Sequence, residues 1–144
     1  MIVHGGMIAC RSGGRWRGAL LLGPSGVGKS DLALRALDQG FRLVSDDRTR
    51  LFVSEGRLFG RAPKALFGLM EVRGVGVVGC DAMAMAPVSI AVRCESEPGL
   101  VDRLPDLASE GFLGVATPLF ALWPLENSAP AKIRRAIESL GARP

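Results

Sequence analysis

The chain has 144 residues, 48% of them hydrophobic: the length of one domain, with apolar material enough for a core that needs no disulfide or metal staple. Its formal charge is +4, yet the 18 basic residues form no dense run and aromatics reach only 6%, which argues against a nucleic-acid surface. No apolar run approaches the ~18 residues of a membrane span, so no membrane contact is expected.

The start, MIVHGGMIAC, has β-type composition and lacks the charged and long apolar regions of a signal peptide. RSGGRWRG (residues 11–18) reads as a turn-rich, basic hairpin loop, and GALLLG (18–23) as a short buried strand. From Lys29 to Gln39, Leu32, Ala33, Ala36 and Leu37 recur at helical spacing, and Gly40 is a natural stop. FRLVSDD (41–47) reads as a strand ending in two carboxylates. RLFVSEGRLFG (50–60) predicts a hairpin that turns at Glu55 and Gly56. LMEVRGVGVVG (69–79) begins as a strand and ends in a glycine-punctuated segment, and PVSIAVRCE (87–95) is another strand. Residues 96–127, interrupted by prolines, read as loop and short strand. SAPAKIRRAIESLGA (128–142) predicts a last helix, with Ser128 as N-cap and Gly141 as stop. The sum is one mixed α/β domain over residues 1–144, richer in hairpins than a doubly wound sheet. The three cysteines, Cys10, Cys80 and Cys94, are odd in number and lack C-x-x-C spacing, which fits reduced thiols in a cytoplasmic protein.

One motif carries chemistry. GPSGVGKSDLAL, starting at Gly23, matches G-x-x-x-x-G-K-[ST] at every defined position, with an apolar strand before it and an amphipathic helix after it. Gly23, Pro24, Ser25, Gly26, Val27 and Gly28 would form the cradle. The glycines let backbone N–H groups converge on an anion, and the helix start adds its partial positive charge. Lys29 is placed to reach the β- and γ-phosphates, and the Ser30 hydroxyl to ligate Mg²⁺. The sequence thus predicts a P-loop that binds a nucleoside triphosphate or similar polyphosphate.

Transfer of a phosphoryl group needs a second magnesium anchor and a group that handles the acceptor's proton. Asp46 and Asp47 stand at the C-terminal end of the next strand, on the sheet edge where ligands collect. Adjacent strand residues point to opposite sides, so one can face the phosphates while its neighbour faces elsewhere, unless the strand breaks there. Glu71, taken alone, reads as an edge residue or a partner for Arg73.

The segments VHG (3–5), GPSGVGKSDLAL, GFRLVSDD, APKALFGLMEVRGVGVV and VDRLP occur in the order found in the catalytic domain of bacterial HPr kinase/phosphorylase, which the chain resembles from about residue 2 to about residue 107. That family phosphorylates a serine of HPr, the small carrier protein of the sugar phosphotransferase system, using ATP or, in some members, pyrophosphate; many members also remove the phosphate by phosphorolysis. The resemblance implies that Asp47, with Asp46 beside it, accepts the serine proton and returns it in reverse. It implies that Glu71 is the second Mg²⁺ ligand, that Arg103 is a positive group near the transferring phosphoryl, and that His4 is an active-site histidine. It further implies HPr or an HPr-like protein as partner and a homo-oligomer, a hexamer in the family.

Two departures stand out. The family's usual N-terminal domain is not in this sequence, as in the short form of alphaproteobacterial HPr kinases. Where the family carries a Pro-Val-Arg-Pro-Gly-Arg loop associated with dephosphorylation, this chain reads GVATPLFALWPLENSAPAKIRRAIE, with no arginine between Arg103 and Arg134. The resemblance therefore implies the kinase direction more directly than phosphorolysis. The alternatives are a nucleotide-sensing module that does not transfer, and a small-molecule kinase on the same scaffold.

Overall fold

The computed structural model describes residues 1–140. Strands β1 (Ile2–Ser12) and β2 (Arg15–Leu22) form one long antiparallel hairpin. The loop expected over residues 11–18 shrinks to Gly13 and Gly14, at φ 61° and 76°. Two consecutive left-handed residues make the tight turn whose twist matches the flanking strands, so pairing continues to Ser12 and Arg15. Helix α1 (Lys29–Leu37) and strand β3 (Arg42–Ser45) follow. β4 (Arg48–Ser54) and β5 (Arg57–Arg61) make the expected hairpin, with Glu55 and Gly56 both at positive φ.

Two short strands, β6 (Leu69–Val72) and β7 (Gly76–Gly79), pair only with each other. β8 (Ala86–Cys94) is central. The region expected to be mostly loop contains β9 (Ala108–Phe112) and the eight-residue β10 (Val115–Leu122). Pro118 is tolerated in β10, and its neighbours pair with β8 on one side and β9 on the other. The chain ends in α2 (Ala129–Ser139), whose N-cap is Ser128, although its hydroxyl makes no capping bond. The stop expected at Gly141 lies outside the described residues.

Eight strands share one sheet, with β8 bonded to β2, β5 and β10. β1 divides its pairing: residues 2–4 lie on β4, and residues 7–9 on β3. β2, β8 and β10 run parallel, and β3 joins that direction because both it and β2 are antiparallel to β1. Both helices cover one face, burying Leu32, Ala36, Ile133 and Ile137 against Ile8, Leu21, Ile90 and Val92. The other face packs Met7, Ala9, Leu20 and Val44 against Leu51 and Leu58 of the β4–β5 hairpin. A mixed α/β sheet with helices on one side results. The C-terminal ends of β2, β3, β8 and β10 all reach the same edge.

Candidate functional site

Each of those four strand ends releases a segment that bears on the site. After β2 comes the glycine-rich turn of residues 23–28. Gly23 has φ 146°, and a Cβ there would sit 2.9 Å from the Cys94 carbonyl oxygen at the end of β8. Gly28 has φ 114°, and a Cβ there would lie 2.8 Å from Leu125 Cδ2, in the loop after β10. Glycine is thus required both for backbone conformation and for space. α1 starts with no side-chain cap, so its first N–H groups have no intrahelical partner and face the turn. The Lys29 ammonium closes back over the turn, donating to the Gly23 carbonyl and, at 3.2 Å, to that of Pro24.

The end of β3 separates the two aspartates. The strand stops at Ser45, and a tight turn follows in which the Arg48 N–H donates to the Asp46 carbonyl at 2.7 Å and the Ser45 hydroxyl to the Arg48 carbonyl. Asp46 is 9% exposed. Its carboxylate is held at both oxygens: the Ser30 hydroxyl donates to Oδ1 at 2.9 Å, and the Glu71 backbone N–H to Oδ2 at 3.1 Å. Asp47 takes the left-handed conformation, φ 65°, which few side chains other than Asp and Asn tolerate. Its carboxylate is 70% exposed and lies 4.0 Å from the Arg48 guanidinium. One aspartate points inward at the start of α1 and the other outward.

Glu71 sits on β6, anchored by its neighbour Met70, which is 1% exposed in the helix-side core. Strand alternation then turns the Glu71 side chain to solvent, while its backbone ties the hairpin to Asp46. Among the described residues, no three His, Cys, Asp or Glu side chains form a metal-binding cluster. Ser30 and Asp46 put two hard oxygen donors side by side, while of Glu71 only the backbone N–H reaches them. That pair suits Mg²⁺, which takes one or two carboxylates and draws its remaining ligands from phosphate and water.

His4 is exposed on β1, paired in register with Arg48, the residue after Asp47. Val3 pairs with Thr49, whose fully buried hydroxyl donates to the Gly5 carbonyl at 2.7 Å and fixes this crossing. Arg103 is exposed in the loop that leaves the end of β8, and it makes no hydrogen bond or ion pair with the described residues. The structure thus gathers the 23–30 turn, Asp46, Asp47 and the Glu71 backbone, sets His4 alongside, and leaves Arg103 outside the bonded network.

Sequence reasoning missed two supports. Arg35 of α1 donates to the Pro124 carbonyl and, at 3.0 Å, to that of Glu126, strapping the loop after β10 over the 23–28 turn. Cys94 stands beside Gly23, where burial pushes its thiol up to about 12 although the Lys29 ammonium pulls the other way. It is a packing group, and a thiolate nucleophile is excluded at neutral pH. A separation of 89–91 residues leaves no local signal for the Arg35 contacts.

Comparison with known proteins supplies a family and a fold. Residues 2–86 match the family model described as HPr Serine kinase C-terminal domain. A curated HPr kinase/phosphorylase from Clostridium perfringens is 44% identical over 66 residues, 46% of this chain and 22% of the relative. One from Lactobacillus delbrueckii subsp. bulgaricus is 32% identical over 130 residues, 85% of this chain and 40% of the relative. The chain therefore spans less than half the length of these relatives. The solved structure of the Hpr(Ser) kinase/phosphatase from Coxiella burnetii superposes with a TM-score of 0.78 at 24% identity, over 95% of this chain and 88% of that one. The two share a fold.

Proposed function

Because this chain belongs to the HPr serine kinase C-terminal domain family, we propose that it is a Mg²⁺-dependent protein-serine kinase, transferring the γ-phosphoryl of ATP to a serine of HPr. The observation that carries the reading is the division of labour between two adjacent carboxylates. Asp46, locked between Ser30 and the Glu71 N–H, belongs to the metal side; Asp47, outward with the Arg48 guanidinium at 4.0 Å, is placed to take a proton.

In this reading the 23–28 amides and the start of α1 cradle the β- and γ-phosphates. Lys29 exchanges the Pro24 carbonyl for a phosphate oxygen. Ser30 and Asp46, with Glu71 from β6, would hold Mg²⁺, which would supply positive charge against that building on the phosphoryl oxygens. Asp47 accepts the proton as the serine oxygen bonds to the γ-phosphorus; the bond from that phosphorus to the bridging oxygen breaks and ADP leaves. His4, beside Arg48 and Asp47, adds a polar group at the acceptor's entrance. Arg103, exposed in the loop after β8, is the remaining positive group offered to the transferring phosphoryl.

The test is incubation with ATP, Mg²⁺ and purified HPr, followed by mass spectrometry for phosphoserine. Nucleotide binding without phosphoserine would replace the kinase with an ATP-sensing module. Phosphorolysis is tested by adding inorganic phosphate to phosphoserine-HPr and measuring pyrophosphate.

A further inference from the structure

The outer face of the β4–β5 hairpin is not used by the site, yet it begins next to Asp47. Strand alternation puts Thr49, Leu51, Leu58 and Gly60 inward and turns Arg48, Arg50, Phe52, Arg57, Phe59 and Arg61 outward. Register assembles the outward residues into rungs: His4 beside Arg48, Ile2 beside Arg50 beside Arg61, Phe52 beside Phe59, and Ser54 beside Arg57. Seven residues of β4 carry this face roughly 20 Å from the aspartates to the hairpin tip.

Four arginines share this face, and among the described residues three of them, Arg50, Arg57 and Arg61, have no ion pair or hydrogen bond. Arg50 and Arg61 lie directly opposite each other, a pairing of like charges that weakens a hairpin. The carboxylate nearest any of the four is Asp47, at 4.0 Å from Arg48. Two of the guanidiniums rest on rings instead. Arg61 lies over Phe52 and Arg57 over Phe59, at 5.5 and 5.4 Å, and the two rings stack with centroids 5.5 Å apart. A ring orients a guanidinium without consuming its N–H donors. The result is a rigid set of unspent donors beginning at the candidate base.

We propose that this face docks the acceptor protein through a cluster of carboxylates flanking its phosphorylatable serine; the inference rests on the protein-serine kinase reading above. A second copy of the chain is the poorer occupant, since a two-fold contact would press the same arginines together. Nucleic acid is poorer too, because each ring already carries a guanidinium and is not open to a base. Carboxylates fit the forked donors two at a time, and their attraction would steer the serine toward Asp47.

The experiment compares steady-state phosphorylation of purified HPr by the native chain, by Arg50→Glu and by Arg57→Gln/Arg61→Gln. These changes remove like-charge repulsion, so both variants should fold, as circular dichroism and thermal melting will show. The expected result is a rise of about tenfold in KM for HPr, with kcat and KM for ATP unchanged within about twofold, and a KM less sensitive to NaCl than that of the native chain. An unchanged KM for HPr would overturn the docking surface while leaving the kinase standing. Loss of single-stranded oligonucleotide binding, or of self-association, with KM for HPr unchanged would overturn it in favour of those occupants. No phosphorylation of HPr by the native chain would overturn the kinase reading, and this surface with it.

Discussion

The Ser30 hydroxyl reaches the Asp46 carboxylate across 2.9 Å, joining the first turn of α1 to the end of β3. The other oxygen of the same carboxylate takes the Glu71 N–H, so one buried side chain fastens three elements. Asp46→Ala removes both acceptors and strands a backbone donor. The expected loss is about 1–3 kcal/mol of stability, read by urea denaturation, together with weaker Mg²⁺-dependent ATP binding. Ser30→Ala should cost less stability, because the Glu71 bond survives, and should weaken the metal dependence to a similar degree.

Asp47 behaves oppositely. It is 70% exposed and pays a backbone strain at φ 65°. Asp47→Asn should leave ATP binding intact and lower the single-turnover rate to HPr by ~10²–10⁴-fold, the usual range for loss of a general base. Asp47→Gly should lose transfer as fully while melting no lower than the native chain, because glycine accepts that φ freely. Retention of transfer in either variant would remove Asp47 from the role of base.

Much of this was readable in the residues. The glycine-rich turn, the helix behind it and the aspartate pair announce themselves by spacing alone, and the Glu55-Gly56 turn by its residue types. What spacing could not show was where β3 stops. The sequence reading carried the strand through Asp47, but pairing ends at Ser45, because the Arg48 N–H turns back to Asp46 and the Ser45 hydroxyl to Arg48. β10 was illegible for another reason. With two prolines in TPLFALWPL its strand character depends on β8 and β9, which supply partners far away in sequence. The tie between Asp46 and Glu71 spans 25 residues and leaves no periodic trace.

Glycines in the 23–28 turn should not be equivalent. Gly26, at φ 82°, has nothing within 4 Å of its Cβ position, so Gly26→Ala pays only the left-handed penalty, roughly 1 kcal/mol. Gly23→Ala meets the Cys94 carbonyl as well, a backbone atom that can move only with β8. Its melting temperature should fall further, and its ATP affinity with it. Equal melting of the two variants would show that the 2.9 Å approach carries no weight.

The thiols give a pH-dependent prediction. Burial raises Cys94 to about 12 and Cys10 above its ordinary 9.0. A thiol raised on folding favours the protonated state, so its stabilisation is full below pH 9.0 and is lost as pH climbs toward 12. Denaturant midpoints should fall across that window, and Cys94→Ala should flatten the decline. At neutral pH a disulfide reagent should find one fast thiol, the half-exposed Cys80, and reach the other two only on unfolding.

Leu125 fills the space that a side chain at Gly28 would occupy, and Arg35 holds Leu125's loop in place from α1. The family-model match ends at residue 86, so the seat of its own signature turn is provided by amino acids well beyond it. β8, which walls off Gly23, begins where that segment stops. Cutting the chain at the boundary of the familiar part would bare the edge of β2 and remove the floor beneath Gly23 and Gly28. The motif by which this family is spotted is therefore not a transplantable cassette: its shape is on loan from the part of the chain that follows residue 86.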